Sequence, residues 1–418
     1  MIIKGKEYKI NRETSVVSQW DKVYCNLLKK ILKEGELFEN RTGIDTLSIE
    51  GVAFKLDAGK EFPILESKKV AIKNALSEML WIYQAQSNDV SWLKERANNI
   101  WNEWEVDKDG IYRTYEPKGE YDPTREVTVY DLDGNPKLDE EGNIMTAKSN
   151  IEGKTIKTAK YFGLEYAGTI GTAYGWITNK FKRPQYVLHQ LKHNPHDRRM
   201  VISLWQDEYL KTAVLPSCVW SSEWKVKDGK LHAFVHQRSA DTPLGLPFNV
   251  SQYAILQAMF AKVSGLEVGN LNWSIMDAHI YVNQIDGIKL ELERFKKMQA
   301  WEKIIKKETD EELEARYLAL KERESILEEK AKTSKQAEKM LKEIREQIMI
   351  FELMITKEKP ILELADKDDF FSFDNSVNND KEYLEKNITG NEDIKDYKVI
   401  DEDMLDDVLR ELDDEMER

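Results

Sequence analysis

The chain has 418 residues, with 62 Lys and Arg against 76 Asp and Glu, for a formal net charge of −14. That balance repels polyphosphate backbones and argues against nucleic-acid partners, although a few local arginines still suit a small anion. Cys25 and Cys218 are the only cysteines, too few for a disulfide framework, and no apolar run approaches the roughly 20 residues a bilayer crossing needs. The opening MIIKGKEYKINRE has no apolar stretch behind its basic residues and does not read as a signal peptide. A cytoplasmic protein without a membrane partner is expected.

In chain order, residues 20–33 place Val23, Leu27, Leu28 and Ile31 on one helical face, with Cys25 close to it as a small packing group. Alternation of Leu47, Ile49, Val52, Phe54 and Leu56 predicts two strands joined near Glu50 and Gly51. Residues 70–84 return to a helical period. From 107 to 168 the chain turns polar and turn-rich; Val127, Val129 and Tyr130 followed by Asp133-Gly134 suggest a small hairpin within a surface insertion. Residues 199–205 and 231–238 read as strands, and 249–264 as a buried helix.

Residues 301–358 are heavily charged, with apolar positions three to four apart. Leu313, Tyr317, Leu320 and Leu327 form one stripe, and Leu341, Ile344, Ile348 and Phe351 another. An antiparallel helical hairpin bending at 332–334 is expected, against the alternative of one long solvated helix. Residues 360–373 read as a final strand returning to the core. The acidic stretch 401–418 reads as a solvated tail or a short docking helix.

The chemistry concentrates in residues 215–253, LPSCVWSSEWKVKDGKLHAFVHQRSADTPLGLPFNVSQY. A thiol (Cys218) is a nucleophile, Arg238 beside the Ser239 hydroxyl suits a phosphate, and the Asn249 amide suits a base edge. Covalent chemistry on a phosphorylated heterocycle follows from that set.

This stretch resembles the thymidylate synthase family. ENRTGIDTLSIEG, EFPILESKK, LSEMLWIYQ, NIWNEW, GTAYGW, NPHDRRMVISLW and DAHIYVNQID extend the likeness, in one order, from about residue 20 to residue 286. The resemblance implies an α+β fold around a large, mostly antiparallel sheet flanked by helices, here with an inserted helical hairpin. A core at 1–300 would hold the polar insertion 107–168 in its folate-side lobe. The hairpin 301–358, a return to the core over 359–400 and the acidic extension 401–418 would follow. It also implies a homodimer that converts dUMP to dTMP with 5,10-methylenetetrahydrofolate, without a metal.

By resemblance, Cys218 is the nucleophile, and Arg41, Arg198, Arg199, Arg238 and Ser239 bind the phosphate, with Arg198 and Arg199 reaching across from the other subunit. Asn249 reads the uracil edge, and an amide there favours dUMP over dCMP. His279 and Tyr281 hold the deoxyribose hydroxyl. Glu78 is the general acid–base group, flanked by Leu76, Met79, Leu80 and Trp81, so a raised pKa or a water network is expected. Tyr174 assists proton removal at C5. Trp101, Trp104 and Asp241 face the folate, and Lys68 and Lys69 suit an anionic polyglutamate tail.

Three positions depart from the family pattern. Val219 follows Cys218 where histidine is usual, Met276 replaces a glycine, and an acidic stretch replaces a short apolar C-terminal tail. That tail closes over the reacting complex and keeps water from competing with hydride. Its replacement keeps open dUMP 5-hydroxymethylation, in which water captures the one-carbon unit. A non-catalytic interaction protein on the same fold is the remaining alternative, set against by the retention of Cys218, Arg238 and Glu78.

Overall fold

The computed structural model of the chain describes residues 1–40, 42–116, 121–360 and 362–373. Arg41 and the acidic stretch 401–418 lie outside the described residues.

A ribbon of β1 (Ile2–Ile3) and β2 (Lys6–Glu7) precedes α1 (Gln19–Glu34), β3 (Glu36–Phe38), β4 (Thr46–Asp57), α2 (Ile72–Met79) and the short α3 (Ser91–Lys94). Then come β5 (Ile111–Tyr115), β6 (Val127–Tyr130), β7 (Thr146–Ala147), β8 (Ile156–Tyr161), α4 (Gly175–Phe181) and α5 (Arg183–His193). The chain continues through β9 (Val201–Ser203), β10 (Val219–Lys227), β11 (Lys230–Asp241), α6 (Gly245–Val263) and β12 (Glu267–Tyr281). It finishes with α7 (Ile285–Lys307), α8 (Asp310–Ala331) and α9 (Lys335–Thr356). The fold is α+β, as the sequence led us to expect.

Six strands form the main sheet in the order β3-β4-β12-β11-β10-β9. Only the β11–β12 pair is parallel, with α6 as the crossover between them. Register does the placing. Ser239 stands beside Asp277 and Asp241 beside His279 across β11–β12, while Ser48 stands beside His279 across β4–β12.

Helix α1 forms where the pattern predicted. Ser18 caps it by accepting the Asp21 N–H at 2.8 Å, and Tyr24, Leu27, Leu28 and Ile31 bury one face. Ser18→Ala is expected to cost about 1 kcal/mol, read as a lower urea midpoint with unchanged slope. Helix α6 is buried nearly all round, so its polar members need internal partners. Ser251 Oγ donates to the Pro63 carbonyl at 3.0 Å, and Gln257 Nε2 to the Leu231 carbonyl at 2.8 Å. Just past Glu78, the helix widens into one π-helical turn over Leu80–Gln84, a form frequent at functional sites.

Two expectations are corrected. The two strands predicted around Glu50-Gly51 are one 12-residue strand, β4. Gly51 takes φ +70° within it, so the turn-like glycine is absorbed while the ladder to β12 runs on from Asp57 to Thr46. The hairpin suggested near Val127 is present, turning at Asp133-Gly134 with the Asp131 N–H on the Asn135 carbonyl and the Lys137 N–H on the Val129 carbonyl, each at 2.8 Å; it belongs to a separate four-stranded sheet, β5-β8-β6-β7, around Ile111, Val129, Ala147, Ile156 and Ala159. The described part of 360–373 holds no strand. It docks as an irregular segment, with Gln84 Nε2 donating to the Phe370 and Phe373 carbonyls (3.0 and 2.9 Å) and Phe370 packing on Phe260.

Helices α8 and α9 meet at 332–334. Tyr317 stacks on Phe351 at 5.5 Å, and Phe351 also meets Trp301 of α7 at 4.7 Å, so the base of the pair is fused to the core.

Candidate active site

Cys218 ends the loop that feeds β10. Its carbonyl accepts the Arg238 N–H at 2.8 Å, which ties the loop to β11. The Arg238 side chain folds back onto the same loop: Nε donates to the Ser217 carbonyl at 3.1 Å and Nη2 to the Pro216 carbonyl at 2.7 Å. Nη2 lies 3.7 Å from Cys218 Sγ. A fixed cation at that range stabilises thiolate over thiol and so raises nucleophilicity at neutral pH.

Tyr174 approaches from the other side, its hydroxyl accepting the Cys218 N–H at 3.0 Å. It sits just ahead of α4 at φ +44°, a conformation side chains rarely adopt. Gly175 makes the close approach possible, since a Cβ there would lie 1.8 Å from the Ser87 carbonyl oxygen. Burial, then the neighbouring Cys218, pushes the Tyr174 hydroxyl well above its ordinary range. The phenol therefore keeps its proton.

Glu78, on α2, is buried with both carboxylate oxygens engaged. Trp101 Nε1 donates to Oε1 at 2.5 Å and Gln252 Nε2 to Oε2 at 2.7 Å. These bonds favour the anion, but burial outweighs them and raises the group to about 7. A carboxyl poised there can both give and take a proton. The Trp101 ring lies 5.2 Å from that of Tyr174 and 5.6 Å from that of Trp104, joining the Glu78 group to the Cys218 group.

Asn249 opens the second turn of α6. Its Oδ1 accepts from Gln237 Nε2 at 3.3 Å and its Nδ2 donates to Gln252 Oε1 at 3.5 Å. The Trp273 indole N–H, which can only donate, holds Gln237 Oε1 at 3.0 Å and so fixes the orientation of that amide.

At the end of the parallel pair, Asp277 gathers three neighbours. It accepts from Ser48 Oγ at 2.5 Å and Ser239 Oγ at 2.9 Å, and meets His279 Nδ1 at 3.1 Å. Partial burial would raise its pKa, but the bonds from His279, Ser48 and Ser239 win and hold it at about 2. The His279 and Tyr281 rings pack edge-on at 5.2 Å. Asp241 is buried beside them, its carboxylate accepting the Leu244 N–H and the Gln284 amide, each at 3.2 Å; burial raises its pKa.

Arg198 and Arg199 are exposed on the segment entering β9, with Arg199 Nε on Asp197 Oδ1 at 2.9 Å. Lys68 corrects an expectation. It is 7% exposed, and its ammonium turns inward onto the Pro243 carbonyl, so it offers no surface cation; Lys69 is the exposed one of the pair. Asp277 and Gln252 were missed by sequence reasoning. For Asp277 a signal existed: it precedes His279 by two residues, which puts both on one face of a strand. Asp277→Ala is expected to raise KM about tenfold, for the nucleotide that the sequence leads us to expect, with a smaller change in kcat, because Ser239 and His279 lose their shared acceptor. Steady-state kinetics test this, and an unchanged KM would refute the role.

The family model described as thymidylate synthase matches residues 22–349. The chain belongs to the thymidylate synthase family. The thymidylate synthase of Clostridium beijerinckii is 36% identical over 278 residues, covering 66% of this chain and 83% of that protein. The enzyme of the same name from Bacillus phage phi3T is 33% identical over 306 residues, covering 68% and 88%. A solved structure, the thermostable thymidylate synthase A from Bacillus subtilis, aligns at 33% identity and TM-score 0.49, covering 66% of this chain and 85% of that one. Of the departures from the thymidylate synthase pattern, Val219 is buried at the start of β10, whereas Met276 is 64% exposed on β12.

Among the described residues, no helix is long and apolar enough to cross a membrane.

Proposed function

We propose that the chain is a thymidylate synthase that methylates dUMP at C5 with 5,10-methylenetetrahydrofolate, giving dTMP and dihydrofolate, as a cytoplasmic homodimer. The observation that carries this reading is the Cys218 thiol 3.7 Å from the Arg238 guanidinium, linked through Tyr174 and Trp101 to a Glu78 carboxyl at about 7. In the reaction Cys218 Sγ adds to C6 of the uracil ring, which makes C5 nucleophilic. The folate supplies the one-carbon unit and the hydride. Glu78 exchanges a proton at O4, and Tyr174, kept protonated by burial, assists removal of the C5 proton by holding the solvent water that takes it up.

Asn249 pairs with O4 and N3–H of uracil. Ser239, Arg238, Arg198 and Arg199, with Arg41, take the phosphate; His279 and Tyr281 take the 3′-hydroxyl. Trp101, Trp104 and Asp241 line the folate side, where Lys68 braces the Pro243 carbonyl near Asp241. The exposure of Arg199 (80%) supports its use by a second subunit. Neither cysteine forms a disulfide among the described residues, which suits a reducing compartment.

A second reading, dUMP 5-hydroxymethylation, is favoured by the acidic residues of 401–418. Mass spectrometry of the products from dUMP and methylenetetrahydrofolate decides between them. dTMP with dihydrofolate supports the first reading. 5-Hydroxymethyl-dUMP with tetrahydrofolate supports the second, and neither product overturns both.

A further inference from the structure

Helix α6 carries two amides one turn apart, Asn249 and Gln252, bonded to each other, and the second of them bonds to the Glu78 carboxyl. Gln252 is 3% exposed, and both ends of its side chain are committed. Oε1 accepts from Asn249 Nδ2 at 3.5 Å, and Nε2 donates to Glu78 Oε2 at 2.7 Å. Its orientation is not free to reverse. The Trp273 N–H fixes Gln237, Gln237 Nε2 donates to Asn249 Oδ1, and that leaves only Nδ2 to face Gln252 Oε1. The hydrogen-bond direction set at Trp273 therefore arrives at Glu78 as an N–H.

We propose that Gln252 is a positioning residue that holds the Glu78 carboxylate and couples its protonation to occupation of the Asn249 amide by the substrate base. This rests on the reading of Glu78 as the acid–base group and Asn249 as the base-reading amide. A base that bonds to Asn249 polarises its amide, and Gln252 passes that polarisation to Glu78 Oε2 through bonds that strengthen one another. Removing the Gln252 donor leaves Oε2 with no protein N–H and favours the protonated carboxyl.

The phenols facing Glu78 do not titrate in its range. Tyr83 of the π turn, Tyr174 ahead of α4 and Tyr253 of α6 are each raised above the ordinary phenol range, chiefly by burial. Cys218 and Arg238 connect toward Glu78 through Tyr174 and Trp101. Among the described residues, Trp101 gives the one other hydrogen bond to the carboxyl. A change in Glu78 titration on substitution of Gln252 thus has its direct source in the lost Gln252 N–H.

The test is infrared titration of the Glu78 carboxyl band, assigned by its loss in Glu78→Gln, in the parent and in Gln252→Met. Methionine matches glutamine in length and keeps the packing of α6. The midpoint is expected to rise by about one pH unit in Gln252→Met. dUMP is expected to move the midpoint in the parent and not in the variant. Superimposable titrations with and without Gln252 would overturn the proposal, as would an equal dUMP response in both. If Gln252→Met fails to fold, Gln252→Leu carries the same comparison, with thermal unfolding as the check on packing. Because the readout is a carboxyl band and not turnover, it separates this proposal from the identity of the product.

Discussion

Replacing Cys218 by serine is expected to lower kcat by about 10⁴-fold or more while leaving dUMP affinity within a few-fold. The hydroxyl has the size of the thiol but no accessible anion near pH 7, so the Arg238 cation 3.7 Å away has nothing to stabilise. The proposed nucleotide contacts lie elsewhere, on β11, β12 and α6 and at Arg198 and Arg199, and the loop is held through its own carbonyls to Arg238 by bonds that the substitution leaves intact. Single-turnover product formation, with calorimetric titration of dUMP, measures both halves. Turnover within tenfold of the parent would rule out the covalent route.

Glu78→Gln is expected to cost about 10²- to 10⁴-fold in kcat, the usual worth of a positioned acid–base group. It should also change how stability depends on pH. Burial lifts the folded-state carboxyl from 4.5 to about 7, so folding favours the protonated form. The contribution of Glu78 to stability is complete below about 4.5 and disappears as pH climbs through about 7. Glutamine has no such loss. Relative to the parent, the variant should gain stability over that window by up to roughly 3 kcal/mol. Glu66, raised to about 7 mainly by burial, titrates in the same window but is common to both proteins and cancels in the difference. Denaturant unfolding at pH 5 and pH 8 reads this out; a constant difference would mean that Glu78 is ionised throughout.

Local pattern carried the helices well. α1 follows the spacing of Leu27, Leu28 and Ile31, and the turn between α8 and α9 falls at 332–334, where the apolar stripes of the two helices break. Local pattern failed where the environment is set by distant chain. Glu50-Gly51 has the composition of a turn, and only the 15-residue partner β12 makes it mid-strand. Residues 360–373 have strand-like apolar positions, yet two of the segment's anchors, Gln84 and Phe260, lie on helical turns. Lysine pairs are ordinarily solvated, and nothing near Lys68 in sequence announces the Pro243 carbonyl that turns it inward. In the site, residue types and family likeness named Cys218, Arg238, Glu78 and Asn249. The links among them pass through Gln252, Tyr174 and Trp101, and Gln252 had no signal of its own. Its bond to Glu78 exists only once α2 and α6 lie side by side.

Lys357, just beyond α9, is buried with Glu66, its ammonium donating to both carboxylate oxygens at 2.9 and 2.7 Å and also to the Val16 carbonyl. Glu66 stands in the loop whose backbone is held by Asp21 of α1 and which leads directly into α2. During synthesis these partners are separated by 291 positions, so the charge on Glu66 goes unanswered until almost the whole described chain has been made. The segment leading to the proposed catalytic carboxyl, Glu78, is thus completed from the far end. A ribosome-bound fragment ending before Lys357 would hold every proposed catalytic side chain and still lack the cation that seats Glu66.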